Sequence, residues 1–284
     1  MGTAIEWCDE VWNPTVGCSR VSPGCDNCYA IGVAHRAMQP AHEGLTVRRP
    51  GDRTDWNGTV RELPDRLDTP LRWRNPRRVF VDSMSDLFHN EVTDAFVGGV
   101  WDTMAHAQQH TFQVLTKRPQ RMQRYLSTMH ALGTWRRHDL MWCGPTELPL
   151  PNVWLGTSIE SDRYTWRADH LRNTPAAIRF LSLEPLLGPL PSLDLTGIDW
   201  VIVGGESGPG ARPMHPDWVR DIRNRCADAG IPFFFKQWGD WVPDPAGEPH
   251  HFGEELVPLS RPGKKAAGRE LDGATWDEMP EHAR

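Results

Sequence analysis

The chain has 284 residues, a net charge of −6 and 39% hydrophobic residues. This composition is typical of a globular protein, and it excludes a membrane-spanning chain because no apolar run is long enough to cross a bilayer. Residues 1–10 contain neither a basic start nor an apolar stretch. We therefore expect no export signal, a cytoplasmic location, and six cysteines that are thiols or ligands rather than disulfides.

Seven short segments rich in apolar, β-branched or aromatic residues are predicted as strands. Most of them are continuous apolar runs rather than alternating ones, which favours strands buried on both faces of a parallel sheet. In chain order they cover residues 11–16, 79–82, 111–115, 152–156, 178–183, 200–203 and 231–235.

Helices are predicted between these strands, over residues 29–38, 93–110, 119–131, 161–173 and 215–229. In the last helix, Pro216 near the start and Gly230 just after the end fit the residue preferences of helix termini. Strands that alternate with helices predict right-handed βαβ crossovers. We therefore expect an α/β fold built as a partial or complete (β/α) barrel, with a doubly wound open sheet as the alternative.

The barrel is expected to occupy residues 1–240, and two long segments within it are predicted to be loop insertions. They lie at about 35–71 and 132–151 and are rich in proline, glycine and arginine. From residue 241 the composition turns to proline, glycine, histidine and charge, which predicts a loosely structured C-terminal extension over 241–284. Residues 268–279 are expected to pack back on the barrel through Trp276.

Three cysteines near the start of the chain form the most specific motif. Cys18, Cys25 and Cys28 are separated by six and two residues. Three thiolates can hold three irons of a [4Fe–4S] cluster and leave the fourth iron open to a small molecule. The closer pair also suits zinc, for which Cys8 or His35 would be the fourth ligand, and unliganded thiols are the remaining alternative.

Polar residues follow nearly every predicted strand, and strand ends are where catalytic groups gather in a (β/α) barrel. Gly204 and Gly205 would expose backbone N–H groups to a ligand, and the carboxylate of Glu206 would accept hydrogen bonds from an ammonium group. A glycine-rich turn with a surface glutamate is the alternative. The residues selected for polar contacts to a cofactor or substrate are Asp86, Glu160, Ser182, Glu184 and Glu206.

Several single residues are further candidates for chemistry. Lys117 and Lys236 end strands and would contact a phosphate or a substrate carboxylate. His89 is predicted either to move protons or to be structural. Cys143 lies in the second insertion and is a candidate donor of a hydrogen atom to a radical, whereas Cys226 is predicted to be a buried thiol.

Local basic clusters and 14 tryptophans favour a nucleic-acid partner despite the negative net charge. Basic clusters lie at residues 48–49, 72–78, 117–124 and 136–137, and Trp73 stands between two arginines. Basic side chains track phosphates, and flat aromatic rings stack on bases. Solvated surface charge and core packing are the alternatives. A competing class is therefore a zinc-binding, non-catalytic nucleic-acid-binding protein.

Several different short motifs are distributed along most of the chain, at residues 5–7, 12–14, 22–25, 83–89, 115–119, 183–186, 203–207, 235–239 and 271–273. Together with the cysteines, they resemble those of radical S-adenosylmethionine (SAM) enzymes. They are most similar to a bacteriophage- and actinobacteria-associated group that is distantly like spore photoproduct lyase. The chain departs from the superfamily in its wide first cysteine gap and in its Gly-Gly-Glu element, which follows the sixth strand rather than the second.

The resemblance implies that the cluster on the three cysteines binds SAM at its open iron and cleaves it to a 5′-deoxyadenosyl radical, which abstracts hydrogen from the substrate. Tyr29 would lie against the adenine. Either residues 83–86 or the Gly-Gly-Glu element would hold the methionine part. The cofactor-binding residues are thus expected to be Tyr29, Ser83, Asp86, Glu160, Ser182, Glu184, Gly204, Gly205 and Glu206, and the catalytic residues Cys143, Glu206 and Lys236.

The implied partners are an electron donor such as flavodoxin or ferredoxin and a substrate that contains a nucleobase. We expect the substrate to be a nucleobase or nucleotide in DNA, acted on in repair or modification, and we expect no membrane partner. A radical SAM enzyme that acts on a peptide or a small metabolite is the alternative.

Overall fold

The computed structural model describes residues 3, 5–36, 38–132 and 148–281. The chain divides into two compact units. Unit 1 comprises Met1–Val21, Cys28–Thr157 and His170–Arg179, and unit 2 comprises Ser22–Asn27, Ser158–Asp169 and Phe180–Arg284. The cysteine motif is thus shared, because Cys18 and Cys28 belong to unit 1 and Cys25 belongs to unit 2.

The fold is a mixed α/β fold. Its strands are β1 (Glu10–Trp12), β2 (Thr15–Val16), β3 (Thr46–Arg49), β4 (Arg53–Trp56), β5 (Arg61–Glu62), β6 (Arg78–Val81), β7 (Thr111–Thr116), β8 (Val153–Ser158), β9 (Ile178–Leu183), β10 (Trp200–Gly204), β11 (Phe233–Gln237), β12 (Val242–Phe252), β13 (Glu255–Ser260), β14 (Glu270–Leu271) and β15 (Ala274–Thr275). Its α-helices are α1 (Tyr29–His35), α2 (Asp94–His106), α3 (Pro119–Leu132), α4 (Trp166–Arg172), α5 (Pro216–Ala229) and α6 (Lys264–Ala267).

The main sheet has seven strands, which confirms the parallel strands predicted from apolar runs. Unit 1 contributes β1, β6, β7 and β8 in that order, and its strand pairs are parallel, with Val79 of β6 beside Phe112 of β7. Unit 2 contributes β9, β10 and β11, also parallel, with Leu181 of β9 beside Val201 of β10. Every residue of β8 and β10 is buried, as expected for strands covered on both faces.

The first predicted strand, over residues 11–16, is corrected to two short strands. Strand β1 pairs in parallel with β6, whereas β2 pairs antiparallel with β5. Pro14 lies between them and has no backbone N–H for a sheet hydrogen bond, so the pairing with β6 cannot continue through it. The side chain of Asn13 instead accepts hydrogen bonds from the Ser83 hydroxyl and the Met84 N–H, both at 3.2 Å.

The five predicted helices are present, although three are shorter than predicted by several residues and α5 is shorter by one. Helix α2 begins after Thr93, whose side chain accepts a hydrogen bond from the Phe96 N–H, and it ends at His106 rather than at residue 110. Helix α1 ends at His35, and α4 follows a short 3-10 turn, Asp162–Tyr164. None of the described helices is long and apolar enough to cross a membrane.

The C-terminal segment is more ordered than its composition predicted, and this expectation is corrected. Strands β12 and β13 form an antiparallel hairpin, and β14 pairs with β15. Within unit 2, the Phe235 N–H donates to the Trp276 carbonyl at 2.9 Å, and the Trp276 ring lies 5.9 Å from that of Phe233. Trp276 thus contacts strand β11, while packing of the extension on a barrel and the domain boundary at residue 240 stay predictions.

Candidate functional site

Cys18 and Cys28, the two motif cysteines of unit 1, pack against one apolar cluster. We name it the Val16 cluster, and its buried members are Val16, Ala30, Ile31, Ala34, Leu45, Trp56 and Met84. Cys18 follows strand β2, and Cys28 immediately precedes helix α1, so the cluster ties together the two elements that carry these thiols. Both cysteines are half-buried and reduced, which leaves their sulfurs suited to metal binding.

A guanidinium group lies beside one of these sulfurs. Arg118 Nη1 is 3.8 Å from Cys18 Sγ, and Arg118 Nη2 donates to the Ser19 carbonyl at 3.0 Å. A positive charge at this distance stabilises a thiolate, which is the form of cysteine that binds metals. The sequence marked Arg118 only as part of a basic cluster, because nothing local links it to a residue 100 positions away.

Asp86 holds this arginine in place. Its carboxylate accepts hydrogen bonds from Arg118 Nη1 at 2.8 Å, from the Thr116 hydroxyl at 2.7 Å and from the Lys117 N–H at 3.1 Å. Burial lowers the pKa of Arg118, but the charges of Asp86 and Cys18 outweigh burial and the pKa lies above its ordinary value. The predicted site residue Asp86 is therefore engaged with the protein itself, and the contact predicted for the Lys117 side chain stays a prediction.

His89 is a neutral hydrogen-bond donor in the same network. Its Nδ1 accepts from the Glu91 N–H at 3.2 Å, so its Nε2 carries the proton and donates to the Ser19 hydroxyl at 2.7 Å. Burial lowers the pKa of His89, and the charge of Arg118 lowers it further. Ser19, next to Cys18, is thus fixed by both His89 and Arg118, whose Nη2 lies 2.9 Å from its hydroxyl oxygen.

Asp82 is a buried carboxyl group that the sequence did not single out. It immediately follows strand β6, has a positive φ of 61°, and accepts hydrogen bonds from the Thr15 N–H at 3.0 Å and the Thr15 hydroxyl at 2.9 Å. Burial raises the pKa of Asp82 to about 8, and the charge of Asp86 adds to the rise. The group is therefore mostly protonated at neutral pH, and it links β6 to the strand that leads into Cys18.

Tyr29 and Ser83, both predicted to contact the cofactor, meet within unit 1. The Tyr29 hydroxyl donates to the Ser83 carbonyl at 2.8 Å, while 58% of the Tyr29 surface is exposed. The hydrogen bond fixes the hydroxyl end of the ring, so one aromatic face is held toward solvent. An aromatic ring in this state can stack on a flat ligand.

In unit 2, the predicted site residue Glu206 is enclosed by hydrogen-bond donors. Its Oε2 accepts from the Arg212 N–H at 2.9 Å, from Arg212 Nε at 2.8 Å and from Asn27 Nδ2 at 2.9 Å, and its Oε1 accepts from Arg212 Nη2 at 2.6 Å. Burial raises the pKa of Glu206, but the hydrogen bonds from Arg212 and Asn27 outweigh burial and hold the pKa below its ordinary value.

Glu184 and Lys236, both predicted site residues, form another ion pair in unit 2. Lys236 Nζ lies 2.8 Å and 2.9 Å from the two carboxylate oxygens of Glu184, and Gln237 Nε2 donates to the same group at 3.2 Å. The pair is partly open to solvent, with 20% of the Glu184 side chain exposed. A Cβ atom at Gly204 would lie 3.2 Å from Glu184 Cδ, so the first glycine of the Gly-Gly-Glu element lies against this pair.

The remaining predicted residues of unit 2 are buried. Glu160 has no exposed surface and pairs with Arg167, whose Nη1 lies 3.0 Å from its carboxylate. Ser182 is buried at the end of β9, and its carbonyl accepts from the Ile159 N–H at 3.0 Å. A Cβ atom at Gly205 would lie 1.9 Å from a backbone oxygen, which leaves no room for a larger residue.

One group of three potential metal ligands occurs among the described residues: His215, Asp217 and Glu255, all in unit 2. However, His215 Nδ1 accepts a hydrogen bond from the Asp217 N–H at 3.0 Å, so Nε2 carries the proton of the neutral ring. Nε2 then lies 3.3 Å from Glu255 Oε1 without a hydrogen bond to it, and its proton leaves no lone pair for a metal. We assign His215 as the N-cap of α5, because its side chain satisfies an amide at the helix start.

The structure therefore brings together Tyr29 with Ser83, and Glu184 with Lys236 and Gly204. It also shows the arginines that the sequence did not select, which neutralise predicted carboxylates: Arg118, Arg167 and Arg212. The charge pattern of the sequence does not identify these pairs, because each arginine could pair with several acidic residues. Cys143 lies outside the described residues, and its predicted role stays a prediction.

Comparison with protein families finds that residues 2–280 match the model of a family described as "Protein of unknown function (DUF5131)". None of the curated proteins matches the chain. None of the solved structures matches it either.

Proposed function

We infer that this chain, which belongs to the DUF5131 family of unknown function, is a radical SAM enzyme whose Cys18, Cys25 and Cys28 hold a [4Fe–4S] cluster. The observation that carries the proposal is the cysteine motif itself: three reduced, half-buried thiols within eleven residues. When bound, the cluster would supply one electron to the sulfonium of SAM, whose carbon–sulfur bond breaks to give methionine and a 5′-deoxyadenosyl radical.

A cluster and a single zinc ion need different spacings of their thiolate ligands. Thiolates that share one tetrahedral zinc lie about 3.8 Å apart, given zinc–sulfur bonds of about 2.3 Å. A cluster binds each thiolate to a different iron and so needs a wider set of sulfurs. The metal content of the protein therefore separates the two proposals.

The contact between Arg118 and Cys18 suits a thiolate ligand. The arginine is held by Asp86 and Ser19 before any metal binds, so its charge is already directed at the sulfur. Hydrogen bonds and charges around the ligand sulfurs are among the features with which proteins tune iron–sulfur clusters. In this proposal, Arg118 favours the ligand-competent form of Cys18.

The Glu184–Lys236 pair supports recognition of the amino acid end of SAM. An α-amino acid group carries an ammonium and a carboxylate, and the pair offers a carboxylate and an ammonium. It lies partly exposed at the ends of β9 and β11, the two strands that flank β10. We propose that Glu184 accepts a hydrogen bond from the ammonium group of SAM and that Lys236 binds the carboxylate of SAM. The exposed ring of Tyr29 stays our proposal for the adenine contact.

An exposed basic patch in unit 1 supports a nucleic-acid substrate. Arg72 and Arg74 are exposed on either side of Trp73, and within the described residues neither is paired with a carboxylate. Arg77 lies over the Trp73 ring, 5.2 Å from its centre. Unpaired arginines beside an aromatic ring are typical of surfaces that bind phosphates and bases. We therefore propose that the substrate is a nucleobase or nucleotide in DNA, with a peptide or small metabolite as the alternative.

The central experiment measures iron and SAM cleavage on one preparation. Protein purified without oxygen and reconstituted should contain about four irons per chain and, with a reductant, convert SAM to 5′-deoxyadenosine. Cys18→Ala, Cys25→Ala and Cys28→Ala should each abolish both. The matched control is Cys226→Ala, since burial raises the pKa of Cys226 to about 12 and makes it an inert thiol. Colourless protein with one zinc, or equal iron in all four variants, would overturn the proposal.

The substrate class is tested by salt-dependent binding to DNA. In the double variant Arg72→Ala/Arg74→Ala, the negative slope of log K against log salt should become shallower by about two units, one for each lost phosphate contact. The control is Arg220→Ala, because Arg220 is already paired with Asp272. An unchanged slope in the double variant, or no salt-dependent binding by the wild type, would favour the peptide or metabolite alternative.

A further inference from the structure

The segment Ser22–Asn27, which carries Cys25, has no apolar anchor of its own. Its 3-10 turn Pro23–Cys25 contains no buried residue, and Asp26 is exposed. Hydrogen bonds within the turn, such as Cys25 N–H to Ser22 carbonyl at 2.9 Å, close the turn but do not fix it to anything else. Other contacts must therefore hold this segment in unit 2.

Arg212 and Glu206 provide several of these contacts. Arg212 Nη2 donates to the Pro23 carbonyl at 2.9 Å, and Arg212 Nη1 lies 3.4 Å from the Asp26 carboxylate. Asn27 Nδ2 donates to Glu206 at 2.9 Å and to the Gly210 carbonyl at 2.7 Å. Both ends of the segment are thus tied to the same Glu206–Arg212 pair.

The fit around the segment is close. A Cβ atom at Gly210 would lie 2.6 Å from Asn27 Oδ1, and one at Gly24 would lie 3.1 Å from Glu160 Cδ. Larger residues at these two positions would push the segment away from its partners. The close approach at Gly24 and Gly210 therefore favours glycine at both positions.

Most hydrogen-bonding capacity of Glu206 is used within the protein. A carboxylate offers about four lone-pair sites, two on each oxygen. Oε2 accepts from three donors, the Arg212 N–H, Arg212 Nε and Asn27 Nδ2, and Oε1 accepts from Arg212 Nη2. Oε2 is thus committed to holding Arg212 and Asn27, while the contact to a cofactor predicted for Glu206 stays a prediction.

We propose that Glu206 and Arg212 form a latch that positions the segment Ser22–Asn27 so that Cys25 is ready to bind metal. The proposal rests on the proposed function only in naming the metal as an iron–sulfur cluster. Glu206 and Arg212 are positioning residues, which act through Pro23, Asp26 and Asn27 rather than on cofactor or substrate.

The test uses the full chain in two states. In metal-free protein, amide hydrogen exchange over residues 22–27 should rise about tenfold or more in Glu206→Gln and Arg212→Lys, because each loses charge-assisted hydrogen bonds. Exchange over α1 should stay as in the wild type. The matched control is Arg220→Lys, which weakens a comparable arginine–carboxylate pair, with Asp272, away from the segment.

The second measurement is the iron affinity of the same variants, from reconstitution at limiting iron. Both latch variants should bind iron several-fold more weakly than the wild type and the control, while their midpoints of urea unfolding stay close to that of the control. Wild-type exchange in both variants would overturn the latch. If the wild type binds no iron while the two variants show the expected rise in exchange, the cluster is refuted and the latch is not. The two failures are therefore distinguishable.

Discussion

The two regions that carry the motif cysteines are held in different ways. In unit 1, Cys18 and Cys28 pack on the apolar Val16 cluster, and the elements next to them are fixed by burial. In unit 2, the segment Ser22–Asn27 has no buried residue in its turn and is held by the Glu206–Arg212 latch. Apolar packing is insensitive to salt, whereas ion pairs are directional and screened. One half of the motif should therefore be rigid, and the other half adjustable.

The largest effect is expected where the apolar half is broken. Leu45 has no exposed surface and belongs to the Val16 cluster, so Leu45→Ala should lower the free energy of unfolding by about 2–5 kcal/mol. The control is Leu256→Ala, since Leu256 is 53% exposed and should change stability by less than about 0.5 kcal/mol. Urea unfolding measures both. Equal losses in the two variants would show that the Val16 cluster is not what stabilises this half.

The same contrast explains which parts of the molecule the sequence could predict. Continuous apolar runs identified the seven sheet strands, because burial on both faces leaves a clear mark in the sequence. The hairpin of β12 and β13 was missed because β12 contains Pro243, Pro245 and Pro249, and proline is unfavourable inside a sheet. Its residues are also largely exposed, so they form no apolar run.

The polar contacts of the site were harder to predict than the strands. Cys18 and Arg118 are 100 residues apart, and Asn27 and Glu206 are 179 apart. A charged residue does not reveal which of several partners it will meet, because that depends on the completed fold. The motif residues themselves could be selected from the sequence, but the arginines that neutralise them could not.

A second prediction tests whether the buried carboxyl group of Asp82 in unit 1 is neutral or charged. Burial raises the pKa of Asp82 to about 8 in the folded protein, against an ordinary value of 3.8, so the folded state holds a proton that the unfolded state releases. Its contribution to stability is full below about pH 4 and is lost as pH rises towards 8. Asp82→Asn stays neutral, and asparagine tolerates the positive φ.

The free energy of unfolding of the wild type should therefore fall relative to Asp82→Asn, by up to about 1.4 kcal/mol per pH unit between pH 5 and 7. Urea unfolding of both proteins at pH 5, 6 and 7 measures the difference. Parallel curves would mean that Asp82 is ionised in the folded protein, and that unit 1 holds a buried charge rather than a neutral carboxyl group.

A third prediction concerns the polar side of the comparison. If His215 caps α5 rather than binding a metal, the serine variant should keep the cap and the alanine variant should lose it. Both lose the packing of the ring on Trp218 and Phe252, so their difference isolates the cap. His215→Ser should be more stable than His215→Ala by about 1 kcal/mol in urea unfolding. Equal stability would assign the role of His215 to ring packing alone.

The smallest effect is expected from a change in salt concentration. The experiment compares amide exchange over residues 22–27 with that over α1 in the same protein. High salt screens the partly exposed contacts of Arg212 with Asp26 and Glu206, which should weaken the latch by less than about 1 kcal/mol. Amide exchange over residues 22–27 should then rise by about two- to fivefold between low and 1 M salt, while α1 beside Cys28 stays unchanged because the Val16 cluster is apolar. Arg212→Lys should show a smaller salt response, since its latch is already weakened. A rise of equal size over α1 would mean that charge holds both halves, and the division of the motif into a rigid and an adjustable part would be wrong.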